Sequence, residues 1–268
     1  MIAPHALLRR CRRVSPLLAA ILFLPAAKNE CGSPEANAKW NSDVHAFATV
    51  LERPGGGVDA EIVLVRRDDG GPDAFIDDAR DVSVRVPGGE LVTLARASAG
   101  HYQASSAADA RLAYRPGETY QFRFELPPSG GDDEGDPFVA SVDAPSEPVT
   151  FAVAEPPEFA GDTARLTWQP ASLYAIIEVR DEAGEIAFGT FDFTQPEIGD
   201  GTKGARFQSG GSYTLSADVF KATGRYTVRV CAGNKVSDWD KELSSNLNWV
   251  SGMLVGRCAA DQTVDVPR

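Results

Sequence analysis

Thr119-Tyr120-Gln121-Phe122-Arg123-Phe124-Glu125-Leu126 alternates polar and apolar residues without a break. Successive side chains of an extended chain point to opposite faces, so Tyr120, Phe122, Phe124 and Leu126 share one side. The octet therefore predicts a β-strand with one buried and one solvated face. The same period of two recurs on either side of it. Val82, Val84 and Val86 alternate with Ser83 and Arg85, and Pro87-Gly88-Gly89 then turns the chain into Leu91 to Ala95, which predicts a hairpin. Val44 to Leu51, Val58 to Val65 and the Val149, Phe151, Val153 series complete a set of short strands over residues 42–154. Turn signals fall between them at the spacing of a β-sandwich.

Glu155-Pro156-Pro157-Glu158 reads as a junction, because consecutive prolines have no N–H to give a central strand. Beyond it Ala164, Leu166 and Trp168 alternate inward until Pro170 stops the strand. Tyr174 to Arg180, Ile186 to Phe193, Tyr213 to Phe220 and Tyr226 to Val230 read as further strands. Asp238 to Asn246 is predicted as a short helix, since acidic residues precede Lys241, Glu242 and Leu243. The expected organisation is a leader over residues 1–30, a tether over 31–41 and two β-sandwich domains over 42–154 and 155–268.

Two segments correspond across these halves. Tyr114, Pro116 and Gly117 lead into Tyr120, and Phe220, Thr223 and Gly224 lead into Tyr226. Each tyrosine opens an alternating strand six residues after another aromatic. The pattern resembles the tyrosine corner of immunoglobulin-like and fibronectin type III sandwiches, in which the hydroxyl of a buried tyrosine bonds a nearby backbone group. Trp168-Gln169-Pro170, Tyr174 to Arg180 and Tyr226-Thr227-Val228-Arg229-Val230 are similar to the B, C and F strands of a fibronectin type III module. The resemblance implies an all-β fold and places the corners at Tyr120 and Tyr226. It is silent about function, because such modules host many binding roles.

The N-terminus is of another kind. Arg9, Arg10, Arg12 and Arg13 precede an apolar run from Val14 to Ala27. A basic cluster before a short apolar stretch is the build of a secretory signal peptide, with cleavage expected between residues 27 and 30. Its core, Leu17 to Leu24, is far shorter than the roughly 20 residues of a spanning helix. Cys31 would then stand near the start of the mature chain, followed by Gly32, Ser33 and Pro34. That start resembles a bacterial lipoprotein, in which the first cysteine is diacylated and a short tether follows. Lys28, Asn29 and Glu30 depart from the apolar and small residues of the family's lipobox. Export thus predicts either a lipid-anchored envelope protein or a freely periplasmic or secreted one.

Removing the leader takes away five of the 26 basic residues but one of the 38 acidic ones, leaving a mature charge near −16. So acidic a surface repels phosphate backbones and anionic lipid heads, which argues against nucleic acid as a partner. Membrane contact is expected only through an acyl anchor. Cys11 falls in the leader, which leaves Cys31, Cys231 and Cys258. In an oxidising compartment thiols pair, and Cys231 with Cys258 is the expected disulfide.

Sites for chemistry are sparse. His45 and His101 are the histidines beyond the leader, and each is expected as a lone, half-exposed side chain. Neither H-E-x-x-H nor C-x-x-C occurs, and no serine sits in a G-x-S-x-G elbow. Gly199, Gly201 and Gly204 match G-x-G-x-x-G, but no helix is predicted after them to hold a pyrophosphate. Asp68, Asp69, Asp73, Asp77, Asp78 and Asp81 crowd one segment, and Asp132, Asp133, Glu134 and Asp136 another. Loops of that kind bind calcium weakly in extracellular modules, and solvation alone is the simpler use. No cofactor is expected. Trp168 is expected in the core, while Trp239 and Trp249 are candidates either to face a ligand or to pack beneath the Cys231–Cys258 loop.

These residues lead to a non-catalytic interaction or structural protein of the envelope, with a protein or glycan partner. A carbohydrate-binding or adhesion module using loop aromatics is the alternative, and a hydrolase working through carboxylates alone is a third reading. The N-terminal reading has a direct test. Metabolic labelling with a clickable fatty acid should mark the wild-type protein and not Cys31→Ser. Absence of label on both, with both in the soluble fraction, favours the unanchored form.

Overall fold

A computed structural model describes residues 44–66, 74–126, 137–190, 207–236 and 252–267. The leader, the tether, the segment predicted as a helix, the glycine-rich loop at 199–204 and the second acidic loop lie outside the described residues.

The described residues form seventeen β-strands. The first five are β1 (Val44–Glu52), β2 (Val58–Arg66), β3 (Ala74–Phe75), β4 (Arg80–Arg85) and β5 (Leu91–Thr93). Then come β6 (Ala95–Ser98), β7 (His101–Ser105), β8 (Thr119–Glu125) and β9 (Phe138–Asp143). The second half contributes β10 (Thr150–Glu155), β11 (Ala164–Gln169), β12 (Tyr174–Arg180) and β13 (Ile186–Gly189). The chain ends with β14 (Ser212–Leu215), β15 (Gly224–Val236), β16 (Gly252–Cys258) and β17 (Gln262–Val266).

They assemble into three sheets. Ten strands make the largest, in the path β13-β12-β15-β16-β1-β2-β7-β6, with β17 beside β15 and β3 beside β2. The other two have the orders β5-β4-β8-β9 and β10-β11-β14. The first small sheet packs its inner side chains, among them Tyr120, Phe122 and Phe124, against β1, β2 and β16. The second packs Leu166, Trp168 and Leu215 against β12 and β15. The result is an all-β fold of several sheets, consistent with tandem sandwich-like domains.

The sheet register places both cores on one face of the ten-stranded sheet. Along β15, Tyr226, Val228, Val230 and Ala232 belong to the second core, and Val236, on the same alternation, packs against the first. The changeover between cores falls between Ala144 and Val149, so β10 already packs in the second core through Val149 and Phe151. The proline pair at 156–157 therefore sits inside the second packing unit. The free edge of β10 is closed by one side chain: Gln262 Nε2 donates to the Phe151 carbonyl at 2.7 Å. Its Oε1 accepts from the Val153 N–H at 3.4 Å. An amide thus stands in for a neighbouring strand and blunts an edge that would otherwise invite pairing.

β16 was not foreseen as a strand, and it joins the halves. It runs antiparallel to β15 through Cys231↔Cys258 to Val236↔Met253. On its other side it runs parallel to β1 through Phe47↔Gly252 to Glu52↔Arg257. Met253 and Val255 point into the first core, and both are fully buried. A glycine pair allows the close approach of β15 and β16: a Cβ on Gly256 would lie 2.2 Å from the Ala232 carbonyl oxygen, and one on Gly233 2.0 Å from that of Val255.

β1 departs from the alternation of one wet and one dry face. It is enclosed between β2 and β16, and Val44 to Leu51 are all buried. His45 is completely buried, which corrects the half-exposed expectation. The reason is position: a central strand covered on both faces has no solvated side.

Cys231 and Cys258 are joined by a disulfide and directly paired between β15 and β16. Closing a loop across 27 residues of sequence separation contributes about 3–4 kcal/mol on the chain-entropy model. The architecture makes the first core share that contribution, because β16 supplies it with Met253 and Val255. In Cys231→Ser/Cys258→Ser, hydrogen exchange should accelerate in β1 and β16 while β11 keeps its protection. Equal acceleration in β11, or none in β1, would show that the staple does not govern the first core.

Candidate functional site

Both tyrosines singled out in the sequence form hydrogen-bonded corners. Tyr120 is fully buried, and its hydroxyl donates to the Ala113 carbonyl at 2.6 Å while accepting from the Arg115 N–H at 2.8 Å. Tyr226 is 5% exposed; its hydroxyl donates to the Ala222 carbonyl at 3.0 Å and accepts from the Ala222 N–H at 3.4 Å. The aromatic six residues earlier packs on each ring: Tyr114 stacks on Tyr120 at 6.4 Å, and Phe220 meets Tyr226 edge-on at 5.1 Å. These hydroxyls are bonded within the fold.

The first corner also reaches the connection between the cores. The Tyr114 hydroxyl donates to the Pro145 carbonyl at 3.1 Å, and the Arg257 guanidinium lies 4.5 Å from the Tyr114 ring centroid. Arg257, on β16, pairs with Glu52 on β1 at 2.6 Å. A partly shielded cation over an aromatic face contributes about 0.5–2 kcal/mol, so this contact adds to the hold of β16 on the first half.

Other side chains considered for chemistry are also placed in the frame. Asp77 accepts from the Gly100 N–H at 2.6 Å and pairs with Arg96 at 3.3 Å. Asp81 has a left-handed φ of 49° beside the irregularity in β4. Asp68, Asp69 and Asp73 lie outside the described residues. His101 approaches Glu61 at 3.7 Å. Asp261 takes a two-pronged contact from Arg229, at 2.9 and 2.8 Å, and Glu178 another from Arg180, at 2.7 and 3.1 Å. The Arg111 guanidinium bonded to Asp109 holds its carboxyl below the usual range. Among the described residues no group of three His, Cys, Asp or Glu side chains is placed to hold a metal ion. Trp168 is in the second core, its indole N–H donating to the Leu173 carbonyl at 3.0 Å. Cys31, Trp239 and Trp249 lie outside the described residues.

The structure assembles a cleft that no sequence motif marks. Ser141, Val142 and Asp143 at the end of β9 face Asn234, Lys235 and Val236 at the end of β15, with Ser172 and Tyr174 closing one side. Its volume is about 350 Å³. The Asn234 amide donates to the Asp143 carbonyl at 2.9 Å, tying the two strands across it. Lys235 Nζ stands 5.5 Å from the Tyr174 ring centroid and 5.4 Å from that of Phe207. These contributors lie up to 95 positions apart, and none is unusual for an edge or a turn, so the chain carries no local sign of them.

The described residues make an all-β fold of several sheets. Over 83% of its length the chain is similar to the chicken CNTN1 FN1–FN3 domains, with 14% identity and a TM-score of 0.23, covering 67% of that chain. Murine CEACAM1b is similar over 83% of this chain and 99% of its own, at 12% identity and a TM-score of 0.20. No family model and no curated protein matches the chain.

The corners generate two expectations. Tyr120→Phe and Tyr226→Phe should each lower stability by about 1–3 kcal/mol by leaving backbone groups unpaired. Tyr120→Phe should cost more, since it removes two shorter bonds from a fully buried site. Urea midpoints measured at unchanged m-value decide this. Burial also raises the Tyr102, Tyr114 and Tyr120 phenols above their usual value of 10.0. Above that pH the unfolded chain releases these protons while the native one keeps them, so their stabilisation is present below pH 10 and lost as pH rises through the folded pKa values. Alkaline titration of stability should show that loss, reduced in Tyr114→Phe.

Proposed function

We propose that this chain is a non-catalytic interaction or structural protein, exported to the envelope or beyond it, whose partner is a protein or a glycan. The observation that carries the reading is the single ten-stranded sheet running beneath both cores. Separate sandwich units joined by a linker move relative to one another unless their interface is large and apolar. Here the β1–β16 backbone ladder and the Arg257–Glu52 pair cross between the halves, and the disulfide ties β16 to β15, so surfaces distant in sequence keep a fixed spacing. Fixed spacing suits a protein that presents a surface, because little conformational entropy is lost on binding. The leader and Cys31 support a place outside the cytoplasm, and an acyl chain on Cys31 would hold an acidic body at the membrane surface without contact through its strands.

The reading is tested in the exporting cell and with the purified protein. A photo-crosslinking residue at the exposed positions Leu91, Phe159 or Ile186 should yield a discrete protein or glycoconjugate adduct. Purified protein should leave a panel of chromogenic glycosides and esters intact. Turnover at a rate abolished by a single carboxylate substitution would overturn the proposal in favour of the hydrolase.

A further inference from the structure

We propose that the cleft between β9 and β15 binds a neutral saccharide, an inference that rests on the interaction reading above and names its ligand. The cleft is preorganised. Three of its lining residues have polar groups that are held by a neighbour yet retain hydrogen-bonding capacity. Asn234 uses one amide N–H on the Asp143 carbonyl, which leaves its second N–H and its Oδ1. The Asp143 carboxylate receives the Thr119 hydroxyl on Oδ1, which leaves Oδ2 among the described residues. Ser141 accepts from Gln121 Nε2 at 3.0 Å and keeps its own O–H to donate. Groups already oriented lose little freedom when a ligand arrives.

The lining also selects a chemical class. An amide, a carboxylate and hydroxyls at one place offer adjacent donors and acceptors, the complement of neighbouring hydroxyls on a sugar ring. Its lining carries one carboxylate residue and one ammonium residue, Asp143 and Lys235, so both signs of charge are present. The mature charge near −16 disfavours a polyanion. Val142 and Val236 pack with the first core, which leaves the Tyr174 ring as the apolar side chain of the lining, too little for an apolar ligand. At about 350 Å³ it lies at the small end of ligand pockets, which run from about 300 to 1,000 Å³. That suits one or two sugar rings.

The cleft lies where β9 of the first half meets β15 of the second, and its walls are strands of the shared frame. Ligand sites favour such junctions, because two units supply groups that neither could converge alone.

Saturation-transfer NMR of the mature protein with glucose, galactose, N-acetylglucosamine and their β-1,4-linked disaccharides tests the assignment, with affinities from titration of any sugar that shows transfer. At least one should bind, and Asn234→Ala should weaken it tenfold or more. Ser172→Trp, which fills the cleft from an exposed turn, should do the same without changing the melting midpoint, and it keeps the test valid if Asn234→Ala fails to fold. Tyr226→Phe, outside the cleft, should bind as wild type. Transfer from none of these sugars, or binding undiminished in a folded Ser172→Trp, overturns the saccharide cleft. A protein adduct from the crosslinking experiment would still stand in that case, so the cleft can fail while the interaction reading survives. Hydrolysis of the chromogenic panel would instead remove the reading on which the cleft rests.

Discussion

β16 lies between two strands that the chain makes at opposite ends of its described length. Its antiparallel edge is bonded to β15 and its parallel edge to β1, so backbone hydrogen bonds run without interruption from the second half into the first. A strand in that position satisfies N–H and C=O groups on both edges, and those groups are costly to leave unpaired in a protein interior. Both cores depend on the pairing: Met253 and Val255 fill the first, and β15, which β16 borders, carries a row of the second. The disulfide, the glycine pair and the Arg257–Glu52 contact all bear on this one strand. They act by different physics, through chain entropy, close backbone approach and charge, toward the same placement.

The tyrosine corners set local geometry within that frame. Each hydroxyl bonds backbone four to seven residues earlier, at the point where the chain enters a core strand. In the first half the corner extends through Tyr114 to Pro145, so the segment leaving the first core is held by the residues that shape its entry. This explains why an aromatic precedes each tyrosine at the same interval. Its ring covers the buried phenol and excludes water from bonds that water would otherwise weaken.

The polar chemistry of the described surface is largely arginine against carboxylate. Arg229 spans from Asp261 to Glu178, Arg180 also holds Glu178, and Arg225 meets Asp265. Exposed pairs of this sort contribute little individually. They do place compensating charge on an acidic chain along β12, β15 and β17, where like carboxylates would otherwise face one another. The cleft at Asn234 differs: its carboxylate is bonded to a hydroxyl and its amide to a carbonyl.

Alternation by itself determined most strands and the all-β class. Tyr174 to Arg180 and the octet at Thr119 lie where the period of two places them, because a side chain's face is a local consequence of extended backbone. The tyrosine intervals were legible for the same reason, since their bonds close within a few residues. The reach of β15 beyond Val230 and the strand character of β16 were not legible. Cys231-Ala232-Gly233-Asn234-Lys235 and Gly252-Met253-Leu254-Val255-Gly256 lack a wet-and-dry rhythm: the glycines serve a close approach, and β16 is buried along nearly its whole length. The burial of His45 and the cleft at Asn234 were likewise decided by tertiary structure. Both depend on which strand becomes a neighbour across 90 or more positions of chain, and a parallel pairing between distant segments leaves no mark on the local pattern of either.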